Sequence, residues 1–267
     1  MTTKEAPIGI FDSGIGGLTV LKEIIKKLPG ENTVYLGDTA RVPYGIRSPE
    51  IVLKYSIENA KFLITRGIKI LVVACNTSSS VSLPYLTKNL TIPVIGVVEP
   101  GAQAAVAHSK TKKIAVIGTE TTISSNSYKK AIKSIDNSSE VVGIACPLFV
   151  PLVEEGWLNG DIVALTARKY LSGVRDYGVD TLVLGCTHYP MIKDVIADTV
   201  KIPLIDSAVE TAGEVSRTLK INGMLRHNSG KATREFFVTD SPEKFASAGE
   251  RFLGHTILNI SKITVGG

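Results

Sequence analysis

"IKILVVACNTSSS", residues 68–80, carries a strand's length of Ile, Leu and Val into a cysteine followed by hydroxyl side chains. "VDTLVLGCTHYPM", residues 179–191, follows the same plan 111 residues later. Short apolar runs that end abruptly in polar residues mark buried strands. The likeness continues downstream. "IPVIGVVEPGAQAA" at 92–105 answers "IPLIDSAVETAGEV" at 202–215. Cys75 precedes Ile92 by 17 residues, and Cys186 precedes Ile202 by 16. Upstream, "IGIFDSGIGGLTVLKEI" at 8–24 resembles "IAVIGTETTISSNSYKKAI" at 114–132. Three matched blocks in one order imply two similar halves, with a period far too long for a solenoid.

Strand-like runs lie near 7–11, 33–37, 68–74, 93–97, 113–118, 140–145, 180–185, 203–205 and 235–238. Helical patterns fill the intervals, among them 48–66 and 160–177. Such alternation predicts an α/β fold with parallel sheets covered by helices. Pro29-Gly30 marks a turn, and Ser241-Pro242-Glu243 reads as an N-cap opening the last helix. The expected architecture is two pseudo-symmetric α/β domains, each a mostly parallel sheet flanked by helices. Ligands bind outside the carboxyl ends of such strands. The loops at Asp12, Asp38, Cys75, Thr119 and Cys186 occupy those ends, so the active site is expected in the interdomain cleft.

The chain has 267 residues, 44% hydrophobic and 21% charged, with a net charge of +5. These values suit an ordinary globular protein. No apolar run reaches transmembrane length, and "MTTKEAPIGIFDSG" has no signal-peptide core. No membrane association and a cytoplasmic location are expected. The mild positive charge shows no Lys/Arg block, so nucleic acid is not an expected partner. A small anionic substrate suits the positive field.

Cys75, Cys146 and Cys186 are the three cysteines, an odd set without a CxxC pair. That argues against a disulfide framework and a zinc site. Burial is the usual fate of a lone free cysteine. Cys146, within "ACPLFVPLVEEGW", reads that way. Cys75 and Cys186 differ, because each follows a strand and precedes a helix-like stretch. A helix N-terminus favours the thiolate, so both thiols are expected to have lowered pKa values. Two such groups on opposing domains would flank a substrate. One removes a proton from a carbon and the other delivers one to the opposite face, which inverts a stereocentre.

Other residues offer support. Asp12 can accept loop N–H groups, orient a substrate ammonium or act as an N-cap. "GIGG" lacks the Lys-Ser/Thr of a phosphate-binding loop. His188 titrates near neutrality and adjoins Cys186. Tyr44-Gly45 offers a phenol and free backbone for a carboxylate. Glu154 can cap, pair with a lysine or reach the cleft.

"FDSGIGGLTV", "YLGDTARVPYG", "ACNTSS", "LVEEG" and "LGCTHYP" together resemble the cofactor-independent glutamate racemases, which supply D-glutamate for bacterial peptidoglycan. The resemblance extends from about residue 7 to about 255. It implies that Cys75 and Cys186 are the catalytic pair, the first acting on D-glutamate and the second on L-glutamate. It implies that Asp12, His188 and Glu154 assist them. Asp12-Ser13, Tyr44-Gly45, Asn76-Thr77 and Thr187-His188 match its substrate-binding pairs. No metal and no cofactor are expected. A homodimer is expected, as is a split first domain, 1–98 plus 207–267, around a second at 99–206. Ser78 stands where many members carry Ala, and Met191 where Leu is common. Aspartate or another small carboxylate as substrate, and a non-catalytic dicarboxylate-binding module, are the alternative readings.

Overall fold

A computed structural model describes residues 4–227 and 230–266. Its strands are β1 (Ile8–Asp12), β2 (Thr33–Gly37), β3 (Ile70–Val73), β4 (Val94–Gly96), β5 (Lys113–Gly118), β6 (Glu140–Ala145), β7 (Thr181–Gly185), β8 (Leu204–Asp206), β9 (Arg234–Val238) and β10 (Ile260–Lys262). They form two sheets, ordered β10-β9-β2-β1-β3-β4 and β6-β5-β7-β8. Every pairing is parallel.

The order β2-β1-β3-β4 in one sheet corresponds to β6-β5-β7-β8 in the other. The sequence repeat is therefore a repeat of topology, with β1 matching β5 and β3 matching β7. The central strands β1, β3 and β7 are buried along their whole length. Both faces are covered by helices, which explains their continuous apolar runs. The helix Leu18–Lys27 packs on the helix Ser207–Ile221, while the helix Val98–His108 packs on β7 and β8.

Four expectations change. β10 adds an edge strand that was not anticipated, because its residues are half-buried or exposed and carry no apolar run. The stretch 160–177 is a helix at Asp161–Leu171 followed by a 3-10 turn at Val174–Tyr177, with Gly173 between them. Ser241 occupies the N-cap position of the last helix, as expected, but its side chain makes no capping bond. It adopts a left-handed φ of 47°, and its hydroxyl donates to Asp240 instead. The helix still begins with proline, at Pro242.

The setting of Cys186 also differs from expectation. A 3-10 turn, Tyr189–Ile192, separates it from the helix Lys193–Val200. Cys75, by contrast, is itself the N-cap of the helix Asn76–Asn89.

Candidate active site

β1, β3 and β7 end at one cavity of about 300 Å³, which is lined from both halves. Ser13, Tyr44, Gly45, Cys75, Asn76 and Thr77 line it from the first half. Glu154, Cys186, Thr187 and His188 line it from the second. The structure thus brings together every expected site residue except Asp12, which lies behind the wall and is fully buried.

The polar loops close tightly because glycines remove side chains where the halves meet. A Cβ on Gly16 would stand 2.6 Å from the Nδ1 of His188 and would also strike Thr187. A Cβ on Gly45 would stand 2.7 Å from that of Thr119. Thr121 donates across the same seam to the carbonyl of Gly45. Thr77 and Thr119 join their hydroxyls at 2.9 Å.

The two thiols sit in different surroundings. Cys75 accepts the Ser78 N–H at 3.5 Å and donates to the Ser13 hydroxyl at 3.7 Å. Burial, and then the charge of Asp12, push its pKa up to about 12. The lowered value expected from the helix N-terminus is therefore overturned. One N–H contact opposes the shift, but desolvation of the thiolate outweighs it. Cys146 is fully buried, accepts no role at the cavity wall, and has its thiol pushed up to about 12 by burial.

Cys186 lies 3.8 Å from His188 Nδ1, and His188 Nε2 lies 3.0 Å from Glu154. Burial opposes a charge on His188. Its bonds to Cys186 and Glu154 win, raising the imidazole pKa to about 10. The Phe252 ring stands edge-on to His188, and Arg251 holds the Glu154 carbonyl at 2.9 Å. The C-terminal helix Pro242–Leu253 thereby fixes this relay.

Asp12 is not an N-cap. Its carboxylate accepts the Gly14 N–H at 2.9 Å and the Thr187 hydroxyl at 3.4 Å. Burial raises its pKa despite the opposing His188 charge and loop N–H groups. Tyr44 lines the cavity, yet its hydroxyl is donated to Asp38 and accepts from Asn59. Its phenol is thus committed away from the carboxylate role read from the sequence.

Sequence reasoning missed the apolar wall made by Val42, Ile46, Pro147, Val150 and Pro151. The run "CPLFVP" reads as core, and only the fold shows which of its faces meets the cleft.

The family model for Asp/Glu/hydantoin racemases matches residues 8–215. A glutamate racemase from Geobacter metallireducens is 55% identical over 260 residues, covering 97% of this chain and 96% of its own. The crystal structure of a Francisella tularensis glutamate racemase in complex with D-glutamate superposes with a TM-score of 0.93 at 38% identity, covering 98% of each chain. A Bacillus anthracis glutamate racemase isoform superposes at 0.95, with 41% identity and the same coverage.

Proposed function

The chain belongs to the Asp/Glu/hydantoin racemase family, and from that premise we propose that it interconverts L- and D-glutamate by proton transfer at Cα. The observation that carries the reading is the meeting of Cys75 and Cys186 in one cavity, each at the end of a corresponding strand of the two sheets. A carbon held between them has one thiol on each face. One accepts the α-proton as the other donates, and the configuration inverts.

The α-proton is weakly acidic. A positioned base contributes about 10²- to 10⁴-fold, while enzymes reach about 10⁶-fold and beyond. Fixed donors must supply much of the rest by stabilising charge as it develops on the α-carboxylate. Asn76, Thr77 and Thr187 take that role in our reading. Ser13 and the Tyr44-Gly45 backbone hold the distal carboxylate.

Cys75 begins as a thiol, given its pKa of about 12. It is ready to donate, which suits the direction in which Cys186 is the base. For the reverse direction, the substrate ammonium adds a positive charge beside Cys75 and favours its thiolate. His188, held by Glu154, is the proton partner of Cys186 in this reading. Asp12 is a positioning residue that ties Gly14 to Thr187.

The product suits peptidoglycan synthesis in the cytoplasm. A homodimer and a division at 98/99 and 206/207 complete the reading, the latter resting on the two separate sheets, one built from β1–β4, β9 and β10 and the other from β5–β8. Near full-length similarity to proteins named glutamate racemase disfavours aspartate as substrate and a purely binding role. The test is circular dichroism of L-glutamate with enzyme alone. The signal should decay to zero without added cofactor. A constant signal would refute the proposal.

A further inference from the structure

Tyr128 lies on the helix Ser127–Ile135 of the second half, and its ring is buried. Its hydroxyl reaches across the seam to Asn76 Oδ1 at 2.6 Å. Asn76 is the first residue of the helix that Cys75 caps, and it lines the cavity. Its other amide atom, Nδ2, is buried with no hydrogen-bond partner among the described residues.

An amide can present either its oxygen or its NH₂ toward a ligand. A phenol that donates to Oδ1 selects one of these two orientations. It holds the oxygen on Tyr128 and leaves the NH₂ as the unpaired donor. A buried donor without an acceptor is costly, so an anion that reaches it is bound strongly. The reverse orientation would set a carbonyl oxygen against a substrate carboxylate and repel it.

We propose that Tyr128 is a positioning residue that orients the Asn76 amide so that Nδ2 binds the substrate's α-carboxylate. Asn76 adjoins Cys75, which must reach Cα, so the carboxylate on Cα is the one within its range. Negative charge develops on that group as the proton leaves, and the Nδ2 bond then strengthens. The ring of Tyr128 gives this orientation from the opposite half, so the bond forms only when the two halves are seated on each other. This inference rests on the glutamate racemase reading above.

The test is a double-mutant cycle on Tyr128→Phe and Asn76→Ala, read as kcat/KM for glutamate. The two enantiomers have equal free energy, so kcat/KM must change equally in both directions. Tyr128→Phe should lower it about tenfold, the scale of one lost hydrogen bond to a charged group. In the Asn76→Ala background the same change should cost less than twofold, because the group it orients is gone. An equal tenfold loss in that background would mean a general structural role and overturn the proposal. So would an unchanged kcat/KM in the single variant.

A second readout needs no Tyr128 variant. In the wild-type protein the Asn76 side-chain amide resonance, assigned by its loss in Asn76→Ala, should shift when glutamate is added. An unmoved resonance overturns the proposal. Wild-type protein that fails to racemise glutamate overturns the functional reading, and this inference with it. Activity with an unmoved resonance overturns this inference alone.

Discussion

The loops after β3 and β7 begin alike and end differently. Both carry a buried cysteine beyond a buried strand, and both reach the same cavity. Cys75 then caps a long helix and is surrounded by the Ser13 hydroxyl and the Ser78 N–H. Cys186 enters a 3-10 turn and meets His188, which is backed by Glu154. Duplicated topology placed the two thiols at one cavity. Divergent loop chemistry gave one a hydroxyl and a backbone N–H and the other the His188–Glu154 relay. The proposed reaction, symmetric in its substrates, would thus run on an asymmetric pair.

The largest expected effect tests whether both members are needed. Cys75→Ser and Cys186→Ser should each cut racemisation by about 10³-fold or more, since a serine hydroxyl is a far weaker acid and its loss forfeits the positioned base. Near-normal turnover in either variant, followed by polarimetry, would break the pairing.

The next effect sharpens the asymmetry. The folded His188 pKa of about 10 lies above its ordinary value of 6.5. Below about pH 6.5 both folded and unfolded chains hold this proton, and its stabilisation is complete. Between there and about 10 only the folded chain holds it, so stability falls as pH rises, by about 1.4 kcal/mol per unit. Glu154→Gln removes a partner that raises the pKa, so this fall should end at a lower pH in the variant. Urea unfolding followed from pH 7 to pH 10 measures it. A fall that ends at the same pH in the variant and the wild type would show that Glu154 does not hold the charge.

The smallest effect concerns the third thiol. Cys146 is buried and its sulfur contacts the Ile144 carbonyl at 3.8 Å. Cys146→Ala should cost about 1 kcal/mol of stability through lost packing, with kcat unchanged. A tenfold fall in kcat would place a third thiol in the chemistry.

Much of this was legible because strands and loop ends are local features. The matched runs before Cys75 and Cys186 marked corresponding strands, and the shared Ile-Pro runs marked β4 and β8 after them. β10 escaped because "ISK" at 260–262 is an edge strand with little to bury. Ser241 has the residue types of a cap, but its left-handed backbone sends the hydroxyl to Asp240. Adjacency to a helix suggested an acidic Cys75. Desolvation by residues distant in sequence reverses that, and no local pattern encodes it. Tyr44 was read as a ligand for the same reason. Only the fold reveals that its hydroxyl donates to Asp38.

The central claim is that Cys75 and Cys186 serve opposite faces of one carbon. The most direct test is early-time racemisation of L-glutamate in deuterium oxide, with both enantiomers recovered and analysed by mass. Two separate thiols predict deuterium at Cα of the D-glutamate formed and almost none in the L-glutamate recovered. Equal deuterium in both enantiomers would mean that one group both takes and returns the proton, and would contradict the account.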